Sequence, residues 1–109
     1  MKMNFNVILS KETIKFIKSD YKVQKKIAYH IQKSREVNDP RLLKKISDDI
    51  WEFRTRSGNQ QIRLMAFWDL NKVSLIICSH GFVKKSSKVP KSEIEKAMKF
   101  RHRYLNKEL

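Results

Sequence analysis

The stretch IWEFRTRSGNQQIRLMAFWDLNKVSLIICSHGF, residues 50–82, decides the fold. Ile50 to Arg56 reads as a strand, with Trp51, Phe53 and Thr55 on one side and Glu52, Arg54 and Arg56 on the other. Ser57-Gly58-Asn59 supplies a turn. Gln61 to Trp68 continues as an apolar strand interrupted by Arg63. Asp69-Leu70-Asn71-Lys72 is a second turn, and Val73 to Phe82 is the last strong strand. Strands joined by such short turns form an antiparallel meander.

Upstream, Phe5, Val7 and Leu9 alternate with Asn6 and Ile8, a short strand signal. Ser10 offers a helix N-cap, with Glu12 in the first turn where the helix dipole favours an anion. Ile14 and Ile17 lie on one face of that helix. Val23, Ile27 and Ile31 recur every fourth residue and mark a second amphipathic helix over about 22–36, stopped by Asp39-Pro40. Downstream, Pro90 suits the first turn of a helix on which Ile94, Ala97, Met98, Arg101 and Leu105 share a stripe. No linker or repeat interrupts the chain. The order strand, two helices, three-strand meander, helix predicts one α+β domain over residues 1–109, its helices packed on a small, mainly antiparallel sheet.

The chain has 109 residues, enough to bury a core without a disulfide or metal. Against 11 Asp+Glu it carries 25 Lys+Arg, a formal net charge of +14. Such an excess predicts attraction to phosphate polymers, weakened by salt, or to an acidic protein partner. The most apolar part, residues 50–90, also has the highest ratio of basic to acidic residues, so the charge is built onto the sheet. Cys78, the single cysteine, falls inside an apolar strand pattern and reads as a small buried hydrophobe, compatible with a reducing cytoplasm. Met1 to Val7 has no signal-peptide apolar core, and no apolar run approaches membrane-spanning length, so no membrane association is expected.

Arginines inside strands are the next clue. Arg54 and Arg63 sit in adjacent strands across a short turn and can be neighbours. They can form surface ion pairs, Arg54 with Glu52 or Arg63 with Asp69, or line a concave face and grip a phosphate bidentately. The run His80-Gly81-Phe82-Val83-Lys84-Lys85-Ser86-Ser87-Lys88-Val89-Pro90 ends the third strand with clustered lysines. Arg54, Arg63, His80 and Lys84 together form a kit for cleaving RNA without metal. One group takes the 2′-hydroxyl proton, another protonates the leaving 5′-oxygen, and the cations stabilise the charge that builds on phosphorus. His30, His80 and His102 lack metal-ligand spacing, and no Gly-rich phosphate loop is present. Neither a metal nor a cofactor is expected.

Ile50-Trp51-Glu52-Phe53-Arg54-Thr55 and Gln61-Ile62-Arg63-Leu64 resemble the paired arginine strands of the RelE/HigB toxins. His80-Gly81-Phe82-Val83-Lys84-Lys85, followed by Pro90, Glu93, Ile94 and Ala97, is similar to that family's strand-end and C-terminal helix signature. The resemblance covers about residues 7–105 and is nearest the phage-derived HigB-like branch of the RelE/ParE superfamily. It implies a RelE-like fold with two N-terminal helices. It also implies a cytoplasmic toxin of a type II toxin–antitoxin system, acting as a ribosome-dependent mRNA endoribonuclease. A cognate antitoxin, expected as a helix-turn-helix HigA-like protein, would neutralise it in a hetero-oligomer; ribosome, rRNA and mRNA are the other partners. By position, Arg54, Arg63, His80 and Lys84 are the catalytic candidates, with Arg56, Lys85, Lys88 and Arg101 as RNA-binding candidates. Some members use a C-terminal tyrosine, and Tyr104 lies in that region. Ile62 stands where many members have tyrosine. The alternatives are a ParE-like gyrase inhibitor, which shares the fold, and a non-catalytic nucleic-acid-binding module.

Overall fold

The computed structural model describes residues 5–108. Met1 to Asn4, part of the stretch read above as lacking a signal-peptide core, lie outside the described residues. The meander forms as its turn residues predict. β3 (Trp51–Ser57) and β4 (Gln60–Trp68) are joined through Gly58 and Asn59. Gly58 has φ +60°, the value required at the first central position of a type II′ hairpin turn. β4 then pairs antiparallel with β5 (Leu75–Lys84). β5 starts and ends two residues later than the sequence pattern suggested, and so includes Lys84.

β1 (Asn6–Leu9) lies parallel to β5 at one side of the sheet. At the other side is a strand that the sequence did not announce, β2 (Leu43–Lys45), antiparallel to β3. Three residues are too few for alternation to be legible. The sheet order is β1-β5-β4-β3-β2.

α1 (Lys11–Lys18) starts on Ser10, whose Oγ accepts from the Thr13 amide at 3.0 Å. α2 (Tyr21–Glu36) starts on Asp20, which accepts from the Lys22 amide at 2.9 Å. Both helices cover one face, where Ile17, Val23 and Ile27 join Phe53, Ile62, Leu64, Ala66 and Ile76 in a core. α3 (Lys91–Leu105) covers part of the other face, placing Ala97 against Ile50, Met65, Phe67 and Ile77. The stripe on α3 differs from the expected one. Phe100 and Tyr104 pack inward with Ile94 and Ala97, while Met98 and Leu105 are exposed. Positions three and four apart stay on one side of a helix, and Met98, one residue past Ala97, is turned about 100° away.

A β-bulge on β5 governs which side chains reach which face. Ala66 pairs with Cys78 but Met65 pairs with His80, so Ser79 is the extra residue. Before it, Ile76 and Cys78 face the α1/α2 core and Ile77 faces α3. After it the parity reverses, with Val83 on the first face and Phe82 on the second. Lys84 therefore lies with Phe82 on the α3 face, whereas unbroken alternation from Ile76 would have put both on the α1/α2 face. α1 secures the bulge. The Ser10 hydroxyl donates to the Ser79 carbonyl at 2.7 Å, and the Thr13 hydroxyl donates to the Cys78 carbonyl at 3.2 Å. Cys78 is fully buried and burial pushes its thiol pKa up, as the apolar pattern implied.

Gly81, two residues past the bulge, has no room for a side chain. A Cβ there would lie 2.3 Å from Phe16 Cδ2 and 2.7 Å from Leu64 Cδ2. Gly81→Ala should therefore destabilise the fold by about 1–3 kcal/mol, although alanine is the better strand residue. Urea unfolding should show a lower midpoint at unchanged slope.

Candidate nucleic-acid interface

Beyond the end of α3 the same sheet face becomes polar. Three rows face one another across the ladder: Glu52, Met65 and His80; Arg54, Arg63 and Phe82; Arg56, Gln61 and Lys84. Direct opposition of Arg54 and Arg63 is unfavourable in itself. Glu52 compensates. Its Oε1 lies 3.3 Å from Arg54 Nε and 3.7 Å from Arg63 Nε. The Glu52 and Arg63 side chains are 3% and 5% exposed, whereas Arg54 is 28% exposed.

The ion-pair alternative raised from the sequence is thus realised for Arg54 with Glu52. Arg63 takes Glu52 as well, not Asp69. Asp69 instead accepts from the Tyr104 hydroxyl at 2.7 Å and from the Asn71 amide at 2.9 Å. Arg63 spends its other donors inside the protein. Nη1 donates to the Ile62 carbonyl at 3.0 Å and the Thr55 carbonyl at 3.5 Å, and Nη2 to Gln61 Oε1 at 2.9 Å. Arg63 is a buried strut, and Arg54 is the member of the pair that opens outward. Glu52 Oε2 is buried and accepts no hydrogen bond.

Above this pair lies a cleft of ≈ 400 Å³ lined by Lys44, Lys45, Glu52, Arg54, Lys84, Ser87 and Lys88, with Ile46, Val89 and Ile94 as its apolar rim. Its cations come from β2, β3, β5 and the loop before α3, and among the described residues Glu52 is its one carboxylate. Lys44 stands directly opposite Glu52 in the β2–β3 ladder. Burial lowers the Lys84 pKa, and so does repulsion from Arg63, Arg54 and Lys44; Glu52 opposes them. Burial likewise pulls Arg63 below its ordinary value, with Glu52 opposing and Arg54 adding to the fall.

His80 lines none of these recesses and is 1% exposed. Its Nδ1 meets the Ser79 hydroxyl at 3.0 Å and its Nε2 lies 3.3 Å from Glu93 Oε1. The imidazole joins β5 to the start of α3. Burial lowers its pKa, helped by Lys96 and opposed by Glu93 and Glu12. Among the RNA-binding candidates, Lys88 lines the cleft. Lys85 lines a neighbouring recess with Gln60 and Gln61. Arg56 lines a third recess beside Arg54. Arg101 is not brought to them; its Nη2 lies 3.7 Å from Asp49 Oδ1. Tyr104 is held by Asp69 near the far end of β4, about 15–20 Å from Arg63 along the strand. Burial and the Asp69 bond push its phenol up to about 12.

Sequence reasoning missed Lys44 and Lys45, which sit on the unannounced strand, and Glu93 as the partner of His80. It weighed Glu52 only as an ion-pair partner, although its parity with Arg54 and Arg56 was the available signal. Among the described residues, no three of His, Cys, Asp and Glu converge as a metal site would require. No helix among them is long and apolar enough to cross a membrane.

The sequence profile of the family described as "Phage derived protein Gp49-like (DUF891)" matches residues 15–102 of the chain. No curated protein matches it.

Two stability predictions arise from this geometry. Arg63→Ala leaves Glu52 buried with only Arg54 beside it and should destabilise by about 3–5 kcal/mol, the range for breaking a buried pair. Arg54→Ala removes a half-exposed charge opposed to another cation and should cost less; paired urea titrations compare the two. The second concerns pH. His30 also titrates below the ordinary 6.5, through burial and then Lys26. Between the folded values of His30 and His80 and 6.5, the unfolded chain binds more protons, so stability rises with pH through that window. Stability should fall as pH drops from 7.5 below 6.5, and His80→Gln should flatten the fall.

Proposed function

Because this chain belongs to the Gp49-like phage-derived protein family, a RelE/HigB-like toxin family, we propose that it is the toxin of a type II toxin–antitoxin pair. In this reading residues 1–109 act as a ribosome-associated mRNA endoribonuclease that stops translation. The observation that carries the nuclease reading is the cleft itself. Lys44, Arg54, Lys84 and Lys88 converge over one carboxylate, Glu52, whose Oε2 has no hydrogen-bond donor. Glu52 Oε1 offsets the opposed arginines, while Oε2 is left without a hydrogen-bond donor and can take a proton.

The chemistry assigns roles as follows. Glu52 accepts the proton of the ribose 2′-hydroxyl, and the freed 2′-oxygen attacks the adjacent phosphorus. The bond to the 5′-oxygen breaks, leaving a 2′,3′-cyclic phosphate and a 5′-hydroxyl. Lys84, its pKa lowered by burial and neighbouring cations, donates the proton that the departing oxygen needs. Arg54 and Lys44 stabilise the charge on the phosphoryl oxygens. Arg63 holds Glu52 and Arg54 in place from beneath. His80 fixes β5 against α3 and so positions Lys84. Lys88, Lys85 and Arg56 hold the RNA on either side. The partners are a cognate antitoxin of the helix-turn-helix type, the ribosome and mRNA, in the cytoplasm.

Expression of the chain alone should arrest growth, with transcripts cut inside translated frames, and a neighbouring antitoxin should restore growth. Intact transcripts with DNA damage signals would instead indicate gyrase as the target. Lys84→Ala and Glu52→Gln should each lower single-turnover cleavage on programmed ribosomes by about 100- to 1000-fold, the usual loss for one transition-state group. Glu52→Gln should also remove the acidic limb of the pH–rate profile, a change that loss of stability alone does not produce. A glutamine variant that folds and cuts at the wild-type rate would remove Glu52 from the mechanism.

A further inference from the structure

A second recess, of ≈ 350 Å³, opens at the outer edge of β3. β2 stops pairing at Phe53, and the Arg54 amide takes the Leu42 carbonyl at 2.8 Å. Beyond that point no strand among the described residues covers β3. His30, Arg41, Arg54, Thr55, Arg56 and Gln61 line the recess, and no carboxylate does. Arg41 is exposed, yet it is pinned. Its Nη2 donates to Asp39 Oδ2 at 2.9 Å and its Nε to Asp39 Oδ1 at 3.2 Å. Arg56 has no carboxylate within ion-pair distance among the described residues. Its amide points the same way as that of Arg54, two residues earlier in the ladder, and so out of the sheet toward the recess. His30 is tied to the Thr55 hydroxyl through Nδ1, which leaves Nε2 as the free ring nitrogen.

Arg54 is common to this recess and to the cleft that holds Glu52. Its Nη1 reaches toward the Pro40 carbonyl, 3.5 Å away, at the sheet edge. Arg54 and Arg56 project from the same side of β3 about 7 Å apart, two residues along the strand. That is the order of the spacing between successive phosphates of an extended single strand. We propose that the recess is a phosphodiester subsite that takes the phosphate adjacent to the one cut in the cleft, with Arg41 and Arg56 as its ligands and Arg54 shared. A phosphodiester offers two free oxygens, which the Arg56 fork and the Arg41 Nη1 left over from the Asp39 pair can take. The proposal rests on the nuclease reading for the direction of the strand's path, and on the shared Arg54 for preferring RNA over an acidic peptide.

The test uses the full chain and a short 2′-O-methyl RNA, which binds but cannot be cut. Arg41→Gln with Arg56→Gln should weaken binding by about tenfold or more, since hydrogen bonds to charged groups are among the strong ones. It should also reduce the log–log salt slope by about 0.7 for the one phosphate lost. Arg56→Lys, which keeps the charge without the fork, should recover the slope but not the full affinity. The thermal midpoint should hold, because both side chains are exposed. Wild-type affinity and slope in the double variant would overturn the proposal. So would RNA binding that is unchanged while capture by the antitoxin fails, which would give the recess to a protein acid. Inorganic phosphate that shifts the His30 ring resonances where RNA does not would reduce it to a free-anion site and overturn it too. If the double variant loses RNA affinity as expected but wild type never cuts RNA on ribosomes, the subsite stands and the nuclease reading falls.

Discussion

One extra residue in β5 sets the whole arrangement. With Ser79 bulged, β5 serves the α1/α2 core with one parity and then turns His80, Phe82 and Lys84 to the opposite face. Without the bulge, Lys84 would point into an apolar core and Gly81 would lose its place against Phe16. A bulge disrupts the ladder locally and leaves carbonyls to be satisfied. Here Ser10 and Thr13 at the start of α1 accept that task. A helix cap and a strand irregularity, 69 residues apart in the chain, are one structural unit.

The second constraint is electrostatic. A chain of net charge +14 must gather cations where they work without driving the sheet apart. Glu52 is the device. Buried between Arg54 and Arg63, it offsets their opposition and leaves the surface above it positive. Arg63 is desolvated and its two terminal nitrogens bond backbone and Gln61, so it stiffens the floor. Arg54, Lys44, Lys84 and Lys88 remain free enough to meet a ligand. Removing one partner of such a buried group leaves an uncompensated charge, which makes stability and function at this site hard to separate by truncation alone.

Much of this was legible in the residues. Alternation gave β3, an apolar run gave β4, Gly58 gave the turn, and Ser10 gave the first cap, because each depends on local backbone preference or on a hydrophobic pattern. That Arg54 and Arg63 can be neighbours also followed from the short turn between their strands; the ladder pairs them directly. β2 was not legible, because three residues carry no period and their pairing is a tertiary fact. Nor was the bulge: Val73 to Phe82 reads as one continuous strand, and nothing in its composition marks where the parity breaks. His80, placed by sequence beside the lysines, sits under α3 instead. The depth of a strand-end residue is decided by the helix laid over it.

The parallel pairing of β1 with β5 has a kinetic side. Every pair from β2 to β5 is closed by a short connection, so the strands that carry Lys44, Glu52, Arg54, Arg63 and Lys84 can assemble from local contacts. Joining Ile8 to Ile77 requires closing most of the chain into a loop, which costs roughly 2–3 kcal/mol more than closing the short turns of the meander. That cost falls before the contact returns anything, so the N-terminal strand and helix are the slow additions to a sheet already formed. The rate of folding is then set by the arrival of Ser10 and Thr13 at the bulge, away from the cations of the cleft. Substitutions at that seam should govern how fast the protein matures, while substitutions among the cations should leave its folding rate nearly unchanged.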